Sequence, residues 1–583
     1  MASPRGIRYI PAIDGLRALA VIAVLLYHLG ISWIPGGFLG VDLFFVISGY
    51  VITRLLLDSI QRSGGLDLRA FYIARIRRLL PPLLFMIIST ALFVSLWAPD
   101  TIKRFLTDTP FSIFGLMNWW LVFRHTDYFE AIGRPPLLQH TWSLGVEAQF
   151  YLVWPLILLL VLRFLGKNKI SGTALLIAGF SGLSLLLLSL RVDSANAAQV
   201  SHVYFGTDTH SIGLFLGAAL AVKWVPQNLS EQVNKKAQDF IDGIGIFGFL
   251  GILATFLFIT ESDPTLYKLA FPLAGIFGCA IITSVVHPAS RFAPLLSSKI
   301  MVWVGERSYA IYLWHWIIFQ VTRPTFDLEG STWALLTLRI LIVFALSDIS
   351  LRLVELPIRT GAVEYWFKGM KYRTKEVRRR QITLLTLGII SLALSTVVVS
   401  AQAISTNSAA QRALRSELAA PIIPISESST AISGLWVTGD SVILGIRHEL
   451  DSREHIGLIN ARVGRQAPEL LEVIRHDKVN MPNSTIVLDL GNNNKLTREQ
   501  AISIFEEIKD QPKIVIVNTA VPRGWREENN SLIREMILMY PNTYLVDWES
   551  ISLGHPEYFA PDGVHLVPTG VRAYVDAIAQ YLK

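Results

Sequence analysis

Long apolar runs, separated by short polar and basic stretches, fill the first two thirds of the chain. Several of these runs reach the roughly 20 residues that a helix needs to cross a bilayer. One run, at 111–123, is too short for this and is predicted to be interfacial or re-entrant. The pattern therefore predicts eleven membrane-spanning helices, over about 16–32, 38–57, 83–98, 143–164, 172–190, 210–226, 243–260, 268–287, 306–322, 333–353 and 382–403.

The hydrophobic pattern changes towards the C-terminus. The runs that recur there are short and rich in β-branched residues: "GLWVTGD", "STIVLDL", "KIVIVNT" and "TYLVD". They alternate with segments of helical spacing, which predicts a parallel-sheet α/β domain. A stretch rich in Ser and Ala precedes them and is predicted to be a linker. The predicted division is 1–360 for a membrane domain, 361–381 for a basic cytoplasmic loop, 382–403 for the eleventh span, 404–432 for the linker and 433–583 for the α/β domain.

The composition excludes an ordinary soluble protein. Hydrophobic residues make up 52% of the chain and charged residues 17%, whereas about a quarter of the residues of soluble proteins are charged. The single cysteine, Cys279, excludes an internal disulfide, a CxxC redox motif and a zinc site built from cysteines. We expect neither a metal nor a nucleic-acid partner.

The net charge of +7 is interpreted as a topology signal, because basic residues cluster in particular loops. With the N-terminus in the cytoplasm, all of these clusters fall on the cytoplasmic side. They include the predicted loop 58–80 and the strongest cluster, "KGMKYRTKEVRRR" at 368–380. Ten spans, the basic loop and the eleventh span then put everything after about 404 outside the cytoplasm. We therefore expect a multi-pass plasma-membrane protein with an extracytoplasmic C-terminal domain.

Two ionisable side chains lie inside the first apolar run. Arg17 and His28 are eleven residues apart, so they share one helix face at an axial separation of roughly 16 Å. At the predicted cytoplasmic mouth, Arg17 suits a phosphate-bearing ligand, whereas a buried His28 suits proton transfer. The alternative for Arg17 is a guanidinium that extends to the interface and pairs with Asp14 on the preceding turn.

Two acidic residues mark the predicted outer ends of spans. Asp42 begins the second span and Glu147 the fourth. Either could orient the His28 imidazole or take part in acid–base chemistry, and the alternative is an interfacial carboxylate in water. His315, in "YLWHW", lies among aromatic residues, which favours packing or a place in the interfacial aromatic belt.

The C-terminal domain carries a serine, an aspartate and a histidine at positions that suit nucleophilic catalysis. Ser441 directly follows a predicted strand in "WVTGDSVILG", at the start of a helix, and "PDGVHLVPTG" supplies Asp562 and His565 on one loop. A serine needs a base to accept its proton, and the base needs an acid to hold its tautomer. Each piece alone has another interpretation, since a GDS tripeptide is usually a turn or a helix cap.

Five blocks that occur in order over about residues 8–360 carry a family resemblance: "IDGLRALAVIAVLLYHLG", "GGFLGVDLFFVISGYVIT", "ARIRRLLPPL", "TWSLGVEAQFYLVWP" and "RSYAIYLWHW". Together they resemble the acyltransferase-3 family of membrane acyltransferases. The resemblance implies transfer of an acyl group, usually acetyl, from a cytoplasmic acyl-CoA to a surface glycan or a related acceptor.

The same resemblance implies roles for particular residues. Arg17 and His28 match the family's Arg-x10-His pair, and Glu147 matches its acidic block. The CoA moiety is then expected near Arg17 and Asp14, and the acyl chemistry near His28. Two positions depart from the family pattern, since His210 stands where Arg is expected and Leu356 where Lys is expected. These departures put in doubt the phosphate or acceptor contacts of their loops.

Four blocks over residues 435–583 resemble the SGNH (GDSL-like) hydrolases. This resemblance implies Ser441 as the nucleophile, with Asp562 and His565 as its partners. Gly464 in "ARVGRQ" and Asn493 in "LGNNN" match the blocks that stabilise the tetrahedral oxyanion together with the Ser441 amide. The register within "GNNN" leaves Asn492 as the alternative to Asn493.

The two resemblances together predict a polytopic α-helical membrane domain followed by an extracytoplasmic SGNH-like α/β domain with a parallel sheet. Such a fusion implies an O-acyltransferase that uses acetyl-CoA, or another acyl-CoA, and modifies a cell-envelope glycan, with peptidoglycan as the expected acceptor. Lipopolysaccharide, another surface polysaccharide and an envelope glycolipid are alternative acceptors. A membrane-tethered esterase and a permease with a sensing domain are alternatives of another class.

Overall fold

The computed structural model describes residues 9–124, 135–190, 197–260, 266–323, 328, 331–418, 434–462, 465–560 and 563–582. Within these ranges, a helical half extends to Leu418 and an α/β half begins with a strand at Leu435. The candidate residues Gly464 and Asp562 lie outside the described residues.

The described part of the helical half contains eighteen α-helices, which are joined by short 3-10 turns and two π-helical segments, Leu266–Ala270 and Leu351–Glu355. They are α1 Pro11–His28, α2 Gly40–Ser63, α3 Leu68–Trp97, α4 Ile102–Ile113, α5 Met117–Phe123, α6 Trp142–Phe164, α7 Ile170–Ser189, α8 Ala197–Phe205, α9 Thr207–His210, α10 Ile212–Lys223, α11 Lys235–Phe258, α12 Phe271–Val285, α13 Ala293–Leu296, α14 Lys299–Val321, α15 Thr332–Ser350, α16 Leu356–Arg359, α17 Ala362–Gly369 and α18 Lys375–Leu418.

Nine helical stretches in the described part of the chain are long and apolar enough to cross a membrane. They are Pro11–His28, Gly37–Ser63, Leu68–Trp97, Gln139–Phe164, Lys167–Ser189, Lys235–Phe258, Lys268–Val285, Trp333–Arg359 and Lys375–Gln402. The other two predicted spans correspond to α10, which has only 12 residues, and to α14, which has 23 residues but carries Glu306, Arg307 and His315. The chain is thus a multi-pass membrane protein.

One predicted loop is wrong. The basic stretch 58–80 was expected to be a cytoplasmic loop, but α2 continues to Ser63 and α3 begins at Leu68. The Asp67 side chain caps α3 by accepting from the Ala70 amide, and arginine is a good helix former. The arginines of this stretch therefore occupy fixed positions on a helix, and Pro81 and Pro82 lie inside that helix.

The last helix of the membrane half is much longer than a span. α18 has 44 residues and continues through the predicted eleventh span as far as Leu418. Residues 404–418 of the predicted linker are therefore helical, and 419–433 lie outside the described residues.

Helices α1 and α14 pack directly against each other. The contact is so close at Gly305 that a Cβ atom there would lie 1.9 Å from the carbonyl oxygen of Asp14. Gly49 in α2 likewise faces the Leu214 carbonyl of α10 at 1.9 Å from its hypothetical Cβ. Small residues at helix contacts permit such approach in membrane proteins, where packing replaces the hydrophobic effect.

The α/β half is a five-stranded parallel sheet with the strand order β2-β1-β3-β4-β5. The strands are β1 Leu435–Gly439, β2 Ile456–Ala461, β3 Thr485–Asp489, β4 Lys513–Val517 and β5 Thr543–Val546, and the helices are α19 Ser441–Arg453, α20 Ala467–Asp477, α21 Arg498–Ile508, α22 Arg526–Met539, α23 Trp548–Ile551 and α24 Pro568–Leu582.

Alternate strand residues enter two separate cores on the two faces of the sheet. Val437 and Val487 belong to one core, whereas Trp436 and Ile486 belong to the other. Because both faces are buried, the strands are continuous apolar runs in the sequence. Loops that carry the candidate site follow the carboxyl ends of β1 and β3, which are neighbours in the sheet.

Candidate functional site

A cavity of about 620 Å³ opens among α1, α2, α3, α6 and α14 of the membrane half. Its wall carries more arginines than carboxylates, which favours an anionic ligand, and we call it the arginine cavity. The arginines are Arg17, Arg54, Arg75, Arg78 and Arg359, and the carboxylates are Asp14, Glu147 and Glu306.

Arg17 and Asp14 form an ion pair in the cavity wall. Arg17 Nη1 lies 3.2 Å from Asp14 Oδ1, as their spacing of three residues along α1 allows. The Tyr9 hydroxyl donates to the other Asp14 oxygen at 2.8 Å. The pairing with Asp14 that the sequence left as an alternative is present, and both side chains still border the cavity.

Glu147 faces the same cavity as Arg17. Its Oε1 accepts hydrogen bonds from the Ser48 and Tyr151 hydroxyls. Among the candidate residues of the membrane half, Arg17, Asp14 and Glu147 border the cavity, whereas His28 and Asp42 are not part of its lining. Glu147 is therefore positioned to interact with a ligand of the arginine cavity.

Asp42 pairs with His210. Its Oδ1 lies 3.0 Å from His210 Nε2, and both residues are buried. The Tyr204 carbonyl oxygen lies 2.6 Å from the other ring nitrogen of His210. Of the roles left open for Asp42, orientation of the His28 imidazole is not seen here, because α2 directs this carboxylate towards His210 in α9. The histidine that departs from the family pattern is the residue that balances Asp42.

His28 at the end of α1 contacts a second histidine. Its Nδ1 lies 3.2 Å from Nε2 of His315, and the two ring centres are 5.1 Å apart. His315 is fully buried and its ring also faces His140, with centres 5.9 Å apart. A packing role was favoured for His315 from the sequence, whereas the structure joins it to His28 by a hydrogen bond.

Ser441 and His565 meet at the carboxyl edge of the sheet. His565 Nε2 lies 2.9 Å from Ser441 Oγ, and the two residues are only 2% and 1% exposed. Ser441 is the first residue of α19, and Asp440 caps this helix by accepting from the Val442 amide at 2.9 Å. A nucleophile and a base within hydrogen-bond reach at a helix N-terminus suit covalent acyl chemistry.

Asn492 and Asn493, which follow β3, have different partners. Asn493 Nδ2 donates to Asp440 Oδ2 at 2.8 Å and to the Arg465 carbonyl oxygen at 3.1 Å. Asn492 Nδ2 instead donates to Asp489 Oδ1 at 2.8 Å. Asn493 is therefore the asparagine joined to the residue that precedes Ser441.

Two buried carboxylates lie behind the nucleophile. Burial raises the pKa of Asp440 above its ordinary value. Burial and the nearby Asp440 carboxylate raise the pKa of Asp489 well above its ordinary value. The Tyr574 hydroxyl donates to Asp489 Oδ2 at 3.0 Å and satisfies this carboxyl from α24.

Sequence reasoning assigned no site role to several residues that the fold brings to these places. Arg75 and Arg78 were interpreted only as topology signals, although their spacing of three residues puts them on one helix face. His315 stands in an apolar aromatic run, where the cost of an ionisable group was the only available signal.

The profile of a family described as an acyltransferase domain matches residues 10–352 of the chain. "Peptidoglycan O-acetyltransferase OatA" of Listeria monocytogenes is 33% identical over 621 aligned positions, which cover 99% of this chain and 98% of that protein. "O-acetyltransferase OatA" of Staphylococcus aureus is 33% identical over 602 positions, which cover 100% and 97%.

A solved structure, the C-terminal catalytic domain of Streptococcus pneumoniae peptidoglycan O-acetyltransferase A with a methylsulfonyl adduct, aligns with 26% of this chain and 94% of its own. The identity is 24% and the TM-score is 0.24.

Proposed function

Because the chain belongs to the acyltransferase domain family and is a multi-pass membrane acyltransferase, we propose that it O-acetylates peptidoglycan. In this proposal, cytoplasmic acetyl-CoA is the donor and a sugar hydroxyl of the cell wall is the acceptor. The acetyl group crosses the membrane half and reaches the α/β half as an ester on Ser441.

The arginine cavity supports an acyl-CoA donor. CoA carries phosphate groups, and guanidinium groups bind phosphate oxygens through paired N–H donors. Arg17, Arg75 and Arg78 reach the cavity from two helices, so several phosphate oxygens can be bound at once. Glu147 lies on the same wall with the Ser48 and Tyr151 hydroxyls and supplies a carboxylate near the bound donor.

The Ser441–His565 pair is the observation that carries the proposal. Its 2.9 Å hydrogen bond lets His565 take the serine proton when Ser441 attacks the incoming acyl group. His565 then passes this proton to the carrier group that leaves the acyl carbon, so it is neutral again before the second half of the reaction. In the second half of the reaction, His565 takes the proton of the sugar hydroxyl that attacks the Ser441 ester and returns it to the departing serine oxygen. Asp562, next to His565 on one loop of the sequence, is proposed to hold the tautomer of this histidine.

The oxyanion of each tetrahedral intermediate is proposed to be stabilised by the Ser441 and Gly464 amides and by Asn493. Asn493 already donates towards Asp440 and the Arg465 carbonyl. An oxyanion therefore competes with these two acceptors for the Asn493 hydrogens, so Asn493 is proposed to shift towards the reacting carbonyl during turnover.

The direction of transfer rests on the basic residues. Cytoplasmic loops of membrane proteins carry an excess of Lys and Arg. If the N-terminus is cytoplasmic, the arginine-rich start of α3 and the basic start of α18 lie on that side, together with Arg17. The α/β half then follows the last span on the opposite side.

The test is the amount of ester-linked acetate on purified envelope glycans. Cells carry the unaltered chain, His28→Ala, Ser441→Ala, or the control Ser452→Ala. Ser452 is an exposed serine of the same helix as Ser441, and its hydroxyl donates to the Glu449 carbonyl oxygen. We expect acetate to be lost with the first two variants and retained with the third.

Other outcomes identify other functions. A gain of acetate in Ser441→Ala without a change in His28→Ala indicates an esterase. No dependence on Ser441 indicates a permease, and either result rejects the proposal.

A further inference from the structure

Three buried or half-buried imidazoles lie together where α1, α6 and α14 meet. His28 ends α1, His140 precedes α6, and His315 lies in α14. His315 is fully buried, His140 is 4% exposed, and His28 remains half-buried. Ionisable side chains at membrane depth are costly, so a group of three is expected to have a function.

The hydrogen bonds fix which nitrogen of His315 carries a proton. Its Nδ1 faces the carbonyl oxygens of Tyr312, at 2.7 Å, and Ile311, at 3.2 Å. A carbonyl oxygen only accepts, so Nδ1 carries the hydrogen. A neutral His315 then presents a lone pair at Nε2.

The protonation of His28 follows from that of its neighbour. Its Nδ1 lies 3.2 Å from His315 Nε2, which presents the lone pair, so His28 Nδ1 must donate. In a neutral His28 the remaining nitrogen, Nε2, is left as a proton acceptor.

We propose that His315 is a positioning residue that holds His28 in the Nδ1–H tautomer and so makes His28 Nε2 the base of the membrane half. This inference rests on the proposed role of His28 in the function above. An acceptor hydroxyl attacks the thioester carbon of acetyl-CoA and becomes the acetyl ester. Its proton passes to His28 Nε2 and then to the departing CoA thiolate. The hydrogen on Nδ1 stays directed at His315 throughout, so atoms and charge balance.

Apart from the third imidazole, His140, the rings recorded against the pair in the described part of the structure are aromatic side chains. His28 meets Tyr27 and Trp316, with ring centres 5.0 and 4.9 Å away, and His315 meets Tyr312 and Phe319. A neutral imidazole therefore orients the base here, in the position that a carboxylate holds in a serine-protease triad. This arrangement sets the tautomer without burying a charge in the membrane.

The test compares three variants of the detergent-solubilised full chain, with acetyl-CoA as donor and release of the free CoA thiol as readout. His315→Leu removes the acceptor, and His315→Gln restores one, since its Oε1 can accept from His28 Nδ1. Trp314→Phe is the control, because Trp314 is a buried neighbour in α14 whose side chain packs on Phe85 and lies outside the histidine group.

We expect His315→Leu to lower kcat about 10-fold, since His28 Nδ1 loses its acceptor, while KM for acetyl-CoA stays within about twofold. The acidic limb of the pH–rate profile shifts in the same variant. His315→Gln recovers most of kcat, and Trp314→Phe matches the unaltered chain.

Two results would overturn the inference. One is an unchanged kcat and pH profile in His315→Leu, and the other is an equal loss in the Leu and Gln variants, which indicates a space-filling role. If His315→Leu does not fold, His315→Gln decides alone, because a folded but inactive Gln variant rejects the inference. A full rate in His28→Ala rejects the proposed role of His28 itself, so the two failures are distinguishable.

Discussion

At the scale of single residues, Glu147 and Asp42 are distinguished by their partners. Glu147 shares the arginine cavity with Arg17, whereas Asp42 is buried against His210. Both begin predicted spans, so the same possible roles were assigned to both from the sequence. The structure indicates a ligand-facing position for Glu147 and a packing position for Asp42.

Asp42→Ala is expected to destabilise the membrane half without affecting donor binding. Removing one partner of a buried hydrogen-bonded pair costs about 1–3 kcal/mol, because the other group is left buried and unsatisfied. The measurement is thermal unfolding of the full chain in detergent, together with KM for acetyl-CoA. The control is Asp239→Ala, since Asp239 is half-exposed and its pair with Arg291 is worth about 0–1 kcal/mol. A raised KM at unchanged stability would contradict this assignment.

Asp489 predicts a pH-dependent stability of the α/β half. Its folded pKa is raised by burial and by Asp440, so between the unfolded pKa of about 3.9 and the folded value the native state binds the extra proton. The contribution of Asp489 to the free energy of unfolding is therefore greatest below that range and falls as pH rises through it.

Asp489→Asn is expected to flatten this dependence, because the amide cannot ionise. The measurement is Tm of the α/β half at pH 5 and pH 8, with Asp510→Asn as the control at an exposed carboxylate. Equal losses of Tm in the Asn variant and the unaltered chain would show that Asp489 does not titrate in this way.

At the scale of helices and strands, close backbone contact positions the membrane site. Gly305 brings α14 against α1 at Asp14, and the same helix pair carries Arg17, His28 and His315. A side chain at Gly305 would meet backbone, which cannot move aside easily.

Gly305→Val is expected to reduce both thermal stability and thiol release from acetyl-CoA, because it separates α1 from α14. Overpacking of this kind costs about 1–3 kcal/mol. Gly179→Val in α7 is the matched control, since a Cβ there has nothing within 4 Å. Comparable losses in the two variants would point to a general intolerance of valine in these helices.

The elements were more predictable than their ends. Apolar runs of sufficient length identified most spans, and alternating runs identified the sheet, because both patterns are local. The start of α3 was missed because its arginines were interpreted only as a sign of a cytoplasmic loop. A charged segment can equally be helical, and here the Asp67 cap begins the helix at Leu68. The predicted span 210–226 is longer than α10, which has 12 residues. The sequence does not mark the boundary between α9, which ends at His210, and α10, which begins at Ile212.

At the scale of the whole molecule, the α/β half has its own cores. Both faces of its sheet are covered by helices, and each core is composed of residues of this half. A chain that buries its own apolar surface on both faces of a sheet folds as a unit.

Residues 434–583 are therefore expected to fold alone and to cleave a small ester such as p-nitrophenyl acetate. Ser441→Ala is expected to lower this rate about 100-fold or more, and Ser452→Ala to leave it unchanged. Cooperative thermal unfolding of the fragment is measured alongside. An unfolded fragment, or an esterase rate independent of Ser441, would contradict the assignment.

The candidate site was predictable to different extents in the two halves. Ser441 and His565 were paired in advance because a nucleophile needs a base and the resemblance supplied both positions. The contact of His28 with His315 joins residues 287 apart along the chain, and the Asp42 contact with His210 joins residues 168 apart. A single sequence contains no signal for such pairings, so they required the packed helices.

The length of α18 has a consequence for reach. Its 44 residues make a rod of about 66 Å, whereas a bilayer with its headgroups is about 40–45 Å thick. If α18 is perpendicular to the bilayer, the parts of the helix beyond the two membrane surfaces have a combined length of about 20 Å. Each helical turn that is removed or inserted changes this combined length by about 5.4 Å. The number of residues in α18 therefore sets how far the helix extends beyond the bilayer.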